Sequence, residues 1–495
     1  MSLDSTRSVH CQEGRSLALS IGQMTLLFLL LGLGSPLILA TIEHASFNAV
    51  LLLVFVSISG LLLCRNTQIR LNDPSLKILG YFWLIKLGIT LFLLYAGWIP
   101  LLDPATNTTW GYDPMRYYVQ AQELIDNNWS PAFISLNYMG ILYYYGAIFR
   151  VLGHNPVIPA LINTFVTLIA TLYLVKVGYE IKGQRGPRDW TLAFALLLPE
   201  MLWFDVMTSR ETLLAALLLF VMLTTGRYLA RTAKVSLTKV LIIGGLSVLA
   251  IAAVRTSMLL PVTASIALMV LIVKPQRGSR VAQRTILAVA AVAILIAGPV
   301  INRYLGGNDF KIDETLQTMI SASKNIALTS ADMQWSENSI GLLLMPEGLL
   351  QSILFLPPRM VLYLLAPLPN VLAPFELAGK SVDWQILLTL LSSVINVLAI
   401  PYVLASFVQS IKTRKTNAAP FVFHISYWVT FMAIVGGNFV IHERYRIMVT
   451  LLLWGCAWLG ARTCSKKSII ELSLFWYGLL AAGGAFYFVY KFGLV

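Results

Sequence analysis

Charge is scarce in this sequence. Only 12% of its 495 residues are Asp, Glu, Lys or Arg, against about a quarter in soluble domains. That scarcity excludes an ordinary water-soluble fold. Acidic residues are the rarer sign, 23 against 36 basic ones. Cysteine is also sparse: Cys11, Cys64, Cys456 and Cys464 show neither paired nor metal-ligand spacing, which excludes a disulfide framework or a zinc motif. No Walker-type loop, dinucleotide fingerprint or nucleophile elbow occurs, so no nucleotide cofactor is expected. The net charge of +13 does not point to nucleic acid. The basic residues lie in short loops between apolar runs and form no patch with interleaved aromatics.

Apolar sequence is what remains, at 57% of the chain. Runs long enough to cross a hydrocarbon core of about 30 Å recur along nearly its whole length. The short alternating segments of a membrane barrel are missing. The expected fold class is therefore all-α: a polytopic transmembrane bundle forming one integral membrane domain over residues 1–495. The first apolar run, 17–41, is too long for a signal-peptide core and reads as a retained span.

Lys and Arg bias in the loops sets the path. The N-terminus, with Arg7 and Arg15, goes to the cytoplasm. Spans are expected near 17–40, 46–64 and 78–99, followed by an outer loop, 100–155. A fourth span returns to Lys176 and Lys182. Arms 190–204 and 211–228 form an outward hairpin. Two further spans turn outside at Arg255, and a ninth at 285–301 opens a second outer segment, 302–383. Inside that segment, 348–366 is apolar but broken by Pro357-Pro358-Arg359, and reads as a re-entrant or interfacial element. Spans at 384–410, 421–440, 447–462 and 469–490 complete a total of about thirteen. Basic residues gather on the inner side of this trace and acidic residues on the outer side.

The first outer loop holds Trp110-Gly111-Tyr112-Asp113-Pro114-Met115-Arg116-Tyr117-Tyr118. A carboxylate, an arginine and aromatics are thereby set just outside the bilayer. Asp before Pro is also an efficient helix start, and Asp73-Pro74 and Asp103-Pro104 repeat the pair; capping does not exclude catalysis. After Pro114 the pattern is amphipathic. Tyr117, Ala121, Leu124 and Ile125 share one face, and Arg116, Gln120, Glu123 and Asn127 the other, as in a helix lying in the interface.

A second cluster, Glu200, Asp205, Arg210 and Glu211, falls at the outer end of the hairpin. Either these residues pair to fix the turn, or they line one cavity with Asp113. Isolated cations follow on the same side: Arg255, Arg303, Arg359, and the run His442-Glu443-Arg444-Tyr445-Arg446. An arginine fork matches phosphate oxygens, although each of these could instead snorkel to lipid headgroups. Lys86, in mid-span, must face protein or water. Tyr143, Tyr144 and Tyr145 read as interfacial anchors.

This layout resembles the GT-C superfamily of polytopic glycosyltransferases. The nearest branch is the bacterial polyprenyl-phosphate-sugar-dependent one, related to protein mannosyltransferases and lipid A aminoarabinose transferases. The residues behind the resemblance are Asp113-Pro114-Met115-Arg116-Tyr117-Tyr118 with Ala121, the hairpin from Leu198 to Glu211, Leu365-Ala366-Pro367-Leu368-Pro369, and Gly437-Asn438 followed by His442 to Arg446. It implies an inverting transferase in the cytoplasmic membrane with its site on the outer face. The donor would be a polyprenyl-phosphate-linked sugar, the acceptor a glycan or a lipid-linked molecule, and the surroundings membrane lipid. Asp113 would be the general base or a metal-linked carboxylate. Arg116, Tyr117, Glu200, Asp205, Arg210, Glu211 and His442 would shape the substrate cavity, with Arg255, Arg303, Arg444 and Arg446 toward phosphate. Some relatives carry two adjacent acids where this chain has Asp113-Pro114, and the soluble C-terminal domain of the oligosaccharyltransferase branch is missing, so dependence on a divalent cation stays open. Two alternatives share the layout: a repeat-unit polymerase using polyprenyl-pyrophosphate oligosaccharides, and a lipid-linked sugar flippase. The flippase would need polar residues at mid-membrane depth on several spans, where Lys86 is the clearest.

Overall fold

The computed structural model describes residues 47–95, 113–130, 139–182, 189–230, 235–273, 284–290, 346–365, 384–437 and 443–491, with a few isolated positions between. The expected first span at 17–41, the latter part of the ninth at 285–301, and most of 302–383 lie outside these residues. Among the described residues there is no strand. Among them, eight helices are long and apolar enough to cross a membrane.

The chain begins with α1 (Phe47–Leu71) and α2 (Ile78–Tyr95), joined by a 3-10 turn that Asp73 caps through its bond from the Ser75 N–H. Two shorter helices follow, α3 (Asp113–Asp126) and α4 (Met139–Leu152), then the long α5 (Val157–Lys182). In α3 the expected apolar face is the buried one: Tyr117, Ala121 and Leu124 are covered, while Arg116 and Glu123 are exposed. That face packs largely on α4. The chain then reverses through Asn128 and Trp129, both at positive φ. The Trp129 indole stacks on Tyr143 at 5.9 Å, which offsets the strain of a left-handed backbone at a bulky residue.

The arm expected at 190–204 is not a regular α-helix. It is a 3-10 stretch, Asp189–Leu197, followed by α6 (Pro199–Val206). Pro199 cannot donate a backbone hydrogen bond, and Leu198 before it is extended at ψ 126°, as a residue before proline prefers. A 3-10 helix rises about 2.0 Å per residue against 1.5 Å in an α-helix. The segment therefore reaches about 30 Å, a full hydrocarbon thickness, with few residues. All of α6 is buried.

Beyond it come α7 (Glu211–Ala230), α8 (Leu237–Val254), a 3-10 turn at Thr256–Met258 and α9 (Leu259–Ile272). The apolar stretch at 348–366 is two short helices, α10 (Leu349–Leu354) and α11 (Leu356–Leu365), broken at Phe355 as the double proline suggested. The last four are α12 (Trp384–Thr413), α13 (Ala418–Gly437), α14 (Glu443–Thr463) and α15 (Lys466–Lys491). Helices α5, α7 and α13 are mostly enclosed by their neighbours, whereas α1, α8 and α15 expose most of their apolar surface, as a membrane-facing rim would. α14 has Arg446 inside it and almost no exposed residue along its apolar stretch. It packs most heavily on α12, where Gly460 lies directly against the Tyr402 carbonyl and a Cβ would not fit, the close approach that small residues permit between membrane helices.

Candidate functional site

Four elements bring charged residues to one end of the bundle. Asp113 opens α3, Arg210 and Glu211 open α7, Arg255 turns from α8 to α9, and Arg444 and Tyr445 open α14. Each is fixed by local chemistry. The α6–α7 turn leaves backbone carbonyls without helical partners, and polar side chains of α4 and α5 satisfy them. Asn163 donates to the Met207 carbonyl at 2.7 Å, and the Tyr145 hydroxyl donates to the Ser209 carbonyl at 2.7 Å and is 3.2 Å from Asn163 Oδ1. Arg210 follows directly, its own carbonyl accepting the first bond of α7 from Leu214. Arg255 has an extended backbone and donates from Nε to Ser257 Oγ at 3.3 Å. Tyr145 is thus fully buried scaffolding, not the interfacial anchor its sequence context suggested.

The ends converge on a compact network. Asp113 Oδ2 is 2.9 Å from Arg444 Nη1 and 4.0 Å from Arg210 Nη2. Arg210 Nε is in turn 3.9 Å from Glu211 Oε1. The Arg210 guanidinium lies over the Tyr117 ring at 5.6 Å. Tyr445 joins Arg444 to one more cation, with Arg255 at 4.7 Å and Arg444 at 5.2 Å from its ring centre. Arg444 Nη2 also donates to the phenolic oxygen at 3.3 Å. Arg210, Glu211 and Arg255 are buried, whereas the side chains of Asp113 and Arg444 remain 22% and 31% exposed. The last two form the rim of the cluster and the others its floor.

Tyr445 lies in the first turn of α14, ahead of its apolar stretch. Burial alone would raise its phenol, but the Arg255 and Arg444 guanidiniums outweigh that and hold it down at about 7. Nearby, the Tyr363 ring is 6.4 Å from that of Tyr445. Arg359, on the same short helix as Tyr363, donates to the Val435 carbonyl at 2.8 Å.

Four other site candidates are engaged elsewhere. Glu200 and Arg446 form a fully buried pair at 3.1 Å. Thr450 and Ser392 also donate to Glu200, and Arg446 donates to the Leu364 carbonyl and Ser393. This pair ties α6, α11, α12 and α14 together. Asp205 pairs with Lys86 at 2.6 Å and accepts from Thr167 and Thr212; Lys86 also donates to the Leu196 carbonyl at 2.9 Å. Arg116 is exposed and bonded to Gln120, four residues along α3. Arg303 and His442 lie outside the described residues. The structure thus brings together Asp113, Tyr117, Arg210, Glu211, Arg255 and Arg444, and leaves Arg116, Glu200, Asp205 and Arg446 outside that network.

In the sequence Tyr445 stands inside a charged run. Arg444 and Arg446 are about 200° apart around a helix of 3.6 residues per turn, so they leave α14 on different sides, and Tyr445 turns toward Arg255 and Arg444. Among the described residues, no three His, Cys, Asp or Glu side chains gather as a metal site would require. Comparison with protein-family models, with curated proteins and with solved structures finds no match.

Proposed function

We propose that this chain is a glycosyltransferase of the GT-C type. In this reading about thirteen spans cross the cytoplasmic membrane, and α3 lies at its outer interface beside the site. A sugar passes from a polyprenyl-phosphate-linked donor to a glycan or lipid-linked acceptor. One observation carries the proposal: a carboxylate at the rim of the cluster, Asp113, faces two arginines, with a third arginine and a phenol behind them.

The chemistry of such a transfer needs those parts. The donor already carries a good leaving group. The acceptor hydroxyl must lose a proton to a base within hydrogen-bond reach, and the departing phosphate needs positive charge that is already in place. Asp113 would take the proton, while Arg444, Arg210 and Arg255 would receive the phosphate. In the ligand-free site Asp113 is held by Arg444 at 2.9 Å; a phosphate drawing Arg444 away would leave the carboxylate open to the acceptor hydroxyl.

Orientation follows the charges. Away from the cluster, the other end of the bundle carries Arg227 paired with Glu180 at 2.7 Å, Arg462 bonded to Thr191, and Lys412, Arg414, Lys415, Lys466 and Lys467. The positive-inside rule assigns that end to the cytoplasm and the site to the outer face. Lys86, the residue that the flippase reading leans on most, is paired with Asp205 at 2.6 Å.

The test is Asp113→Asn, expressed at wild-type level in membranes of a strain lacking the gene, with surface glycan and glycolipid profiled. The expected outcome is a product missing from the deletion strain, restored by wild type and reduced about 10²- to 10⁴-fold in the variant, the usual worth of a general base. Full restoration by Asp113→Asn would sink the catalytic assignment and leave Asp113 as a helix start.

A further inference from the structure

Tyr445 is not needed for the transfer outlined above, yet it occupies the best position in the cluster. Two guanidiniums from different elements, the α8–α9 turn and the start of α14, stand against one phenol ring. Like charges held this close repel, and something must offset them. Asp113 is in contact with Arg444 and lies near Arg210, and Glu211 lies near Arg210. For Arg255, the leading favourable partner is Tyr445, whose oxygen both arginines hydrogen-bond.

We propose that Tyr445 is a positioning residue: its phenolic oxygen keeps Arg255 and Arg444 gathered around the spot a ligand's phosphate oxygen takes, and releases both guanidiniums when the phosphate arrives. This rests on the reading of the cluster as a phosphate-ester site. The ligand class is a phosphodiester anion on a lipid. The step moves one proton: the phenol, ionised between two cations, takes a proton from water as the incoming anion replaces it.

The sign of the pH dependence follows. In the empty site the phenol is held at about 7. With both arginines turned to phosphate, it moves back toward an ordinary tyrosine, about 10. Between those values the complex holds one more proton than the free protein, so affinity falls as pH rises, by up to about tenfold per unit. Arg255, Arg444 and Tyr363 face Tyr445 directly, and around them stand Asp113 from α3, Arg210 and Glu211 from α7, and Arg359 from α11. Tyr445→Phe leaves all of them in place and keeps the ring beneath the guanidiniums, which isolates the phenol's contribution.

The experiment uses the full chain in nanodiscs and a polyprenyl methyl phosphate, a diester whose charge stays fixed across the range, titrated from about pH 6 to pH 9. Wild type is expected to bind with flat affinity below neutrality and a fall toward tenfold per unit above it. Tyr445→Phe is expected to lose that slope. A flat wild-type profile, or a slope that survives in Tyr445→Phe, overturns the proposal while leaving the phosphate site standing. No binding by either protein overturns the phosphate reading and this inference with it. A ligand-free difference titration by near-ultraviolet absorbance checks the phenol directly: wild type should show one more phenol ionising near neutrality than Tyr445→Phe, and equal titrations overturn the proposal.

Discussion

Arg444 and Arg446 are two residues apart on one helix and do unrelated work. Arg444 reaches Asp113 at the half-open rim, whereas Arg446 is sealed against Glu200. The sequence made both visible as cations in an apolar chain but could not say which faced a site, because a residue's partner lies hundreds of positions away. The same holds for Lys86, whose position in a span required a buried partner but did not name Asp205. That pair is fully buried, and it yields a sharp expectation. Lys86→Met alone leaves a carboxylate buried without its cation and should cost about 3–5 kcal/mol, read as a lower thermal midpoint in detergent. Adding Asp205→Asn removes the charge while keeping an acceptor for Thr167 and Thr212, and should restore most of the loss. If the double variant is no more stable than Lys86→Met, the pair is not the source of the effect. Glu200 and Arg446 belong to the same class, so variants there should act on folding before they act on turnover.

At the scale of elements, the long apolar helices were legible because lipid demands internally bonded helices of a set length. The arms near α1, α5, α7, α12, α13 and α15 follow directly from hydropathy. The segment before Glu211 was not legible in detail. Its hydropathy is that of a span, but Pro199 divides it into a 3-10 stretch and a short helix, and hydropathy does not distinguish these rises. The consequence for the site is the turn at Met207–Ser209, which must be held by side chains from other helices. Tyr145 and Asn163 hold it. Tyr145→Phe should therefore leave the bundle folded, at a cost of about 1–3 kcal/mol for the carbonyl left bare. Arg210 would lose its exact placement, and a displacement near 1 Å can lower turnover about 100-fold. Measured together, product formation should fall far more than thermal stability. Equal activity in the two proteins would mean that the turn holds without Tyr145.

For the whole molecule, the distribution of charge separates two ends. The described basic residues at the ends of α12, α14 and α15 lie opposite the cluster, while the arginines of the cluster are paired with Asp113, Glu211 and Tyr445. On the proposed orientation the first end is the cytoplasmic one. Helices α12 and α14 run side by side in the same direction: Ser393 meets Arg446 near the start of α14, and Tyr402 meets Gly460 near its end. The tail of α12, with Arg414, is therefore far from the site, whereas Glu123 is exposed on α3, the helix that Asp113 opens. A single cysteine at each position, in a background with the native cysteines replaced, separates the two faces. In sealed right-side-out vesicles an impermeant maleimide should label Glu123→Cys at once and Arg414→Cys only after permeabilisation. The reverse pattern would turn the molecule over and put the carboxylate–arginine cluster in the cytoplasm. A lipid-linked donor displayed on the outer leaflet could not then reach Asp113, and the chemistry proposed for it would have to draw on a donor from the inner leaflet.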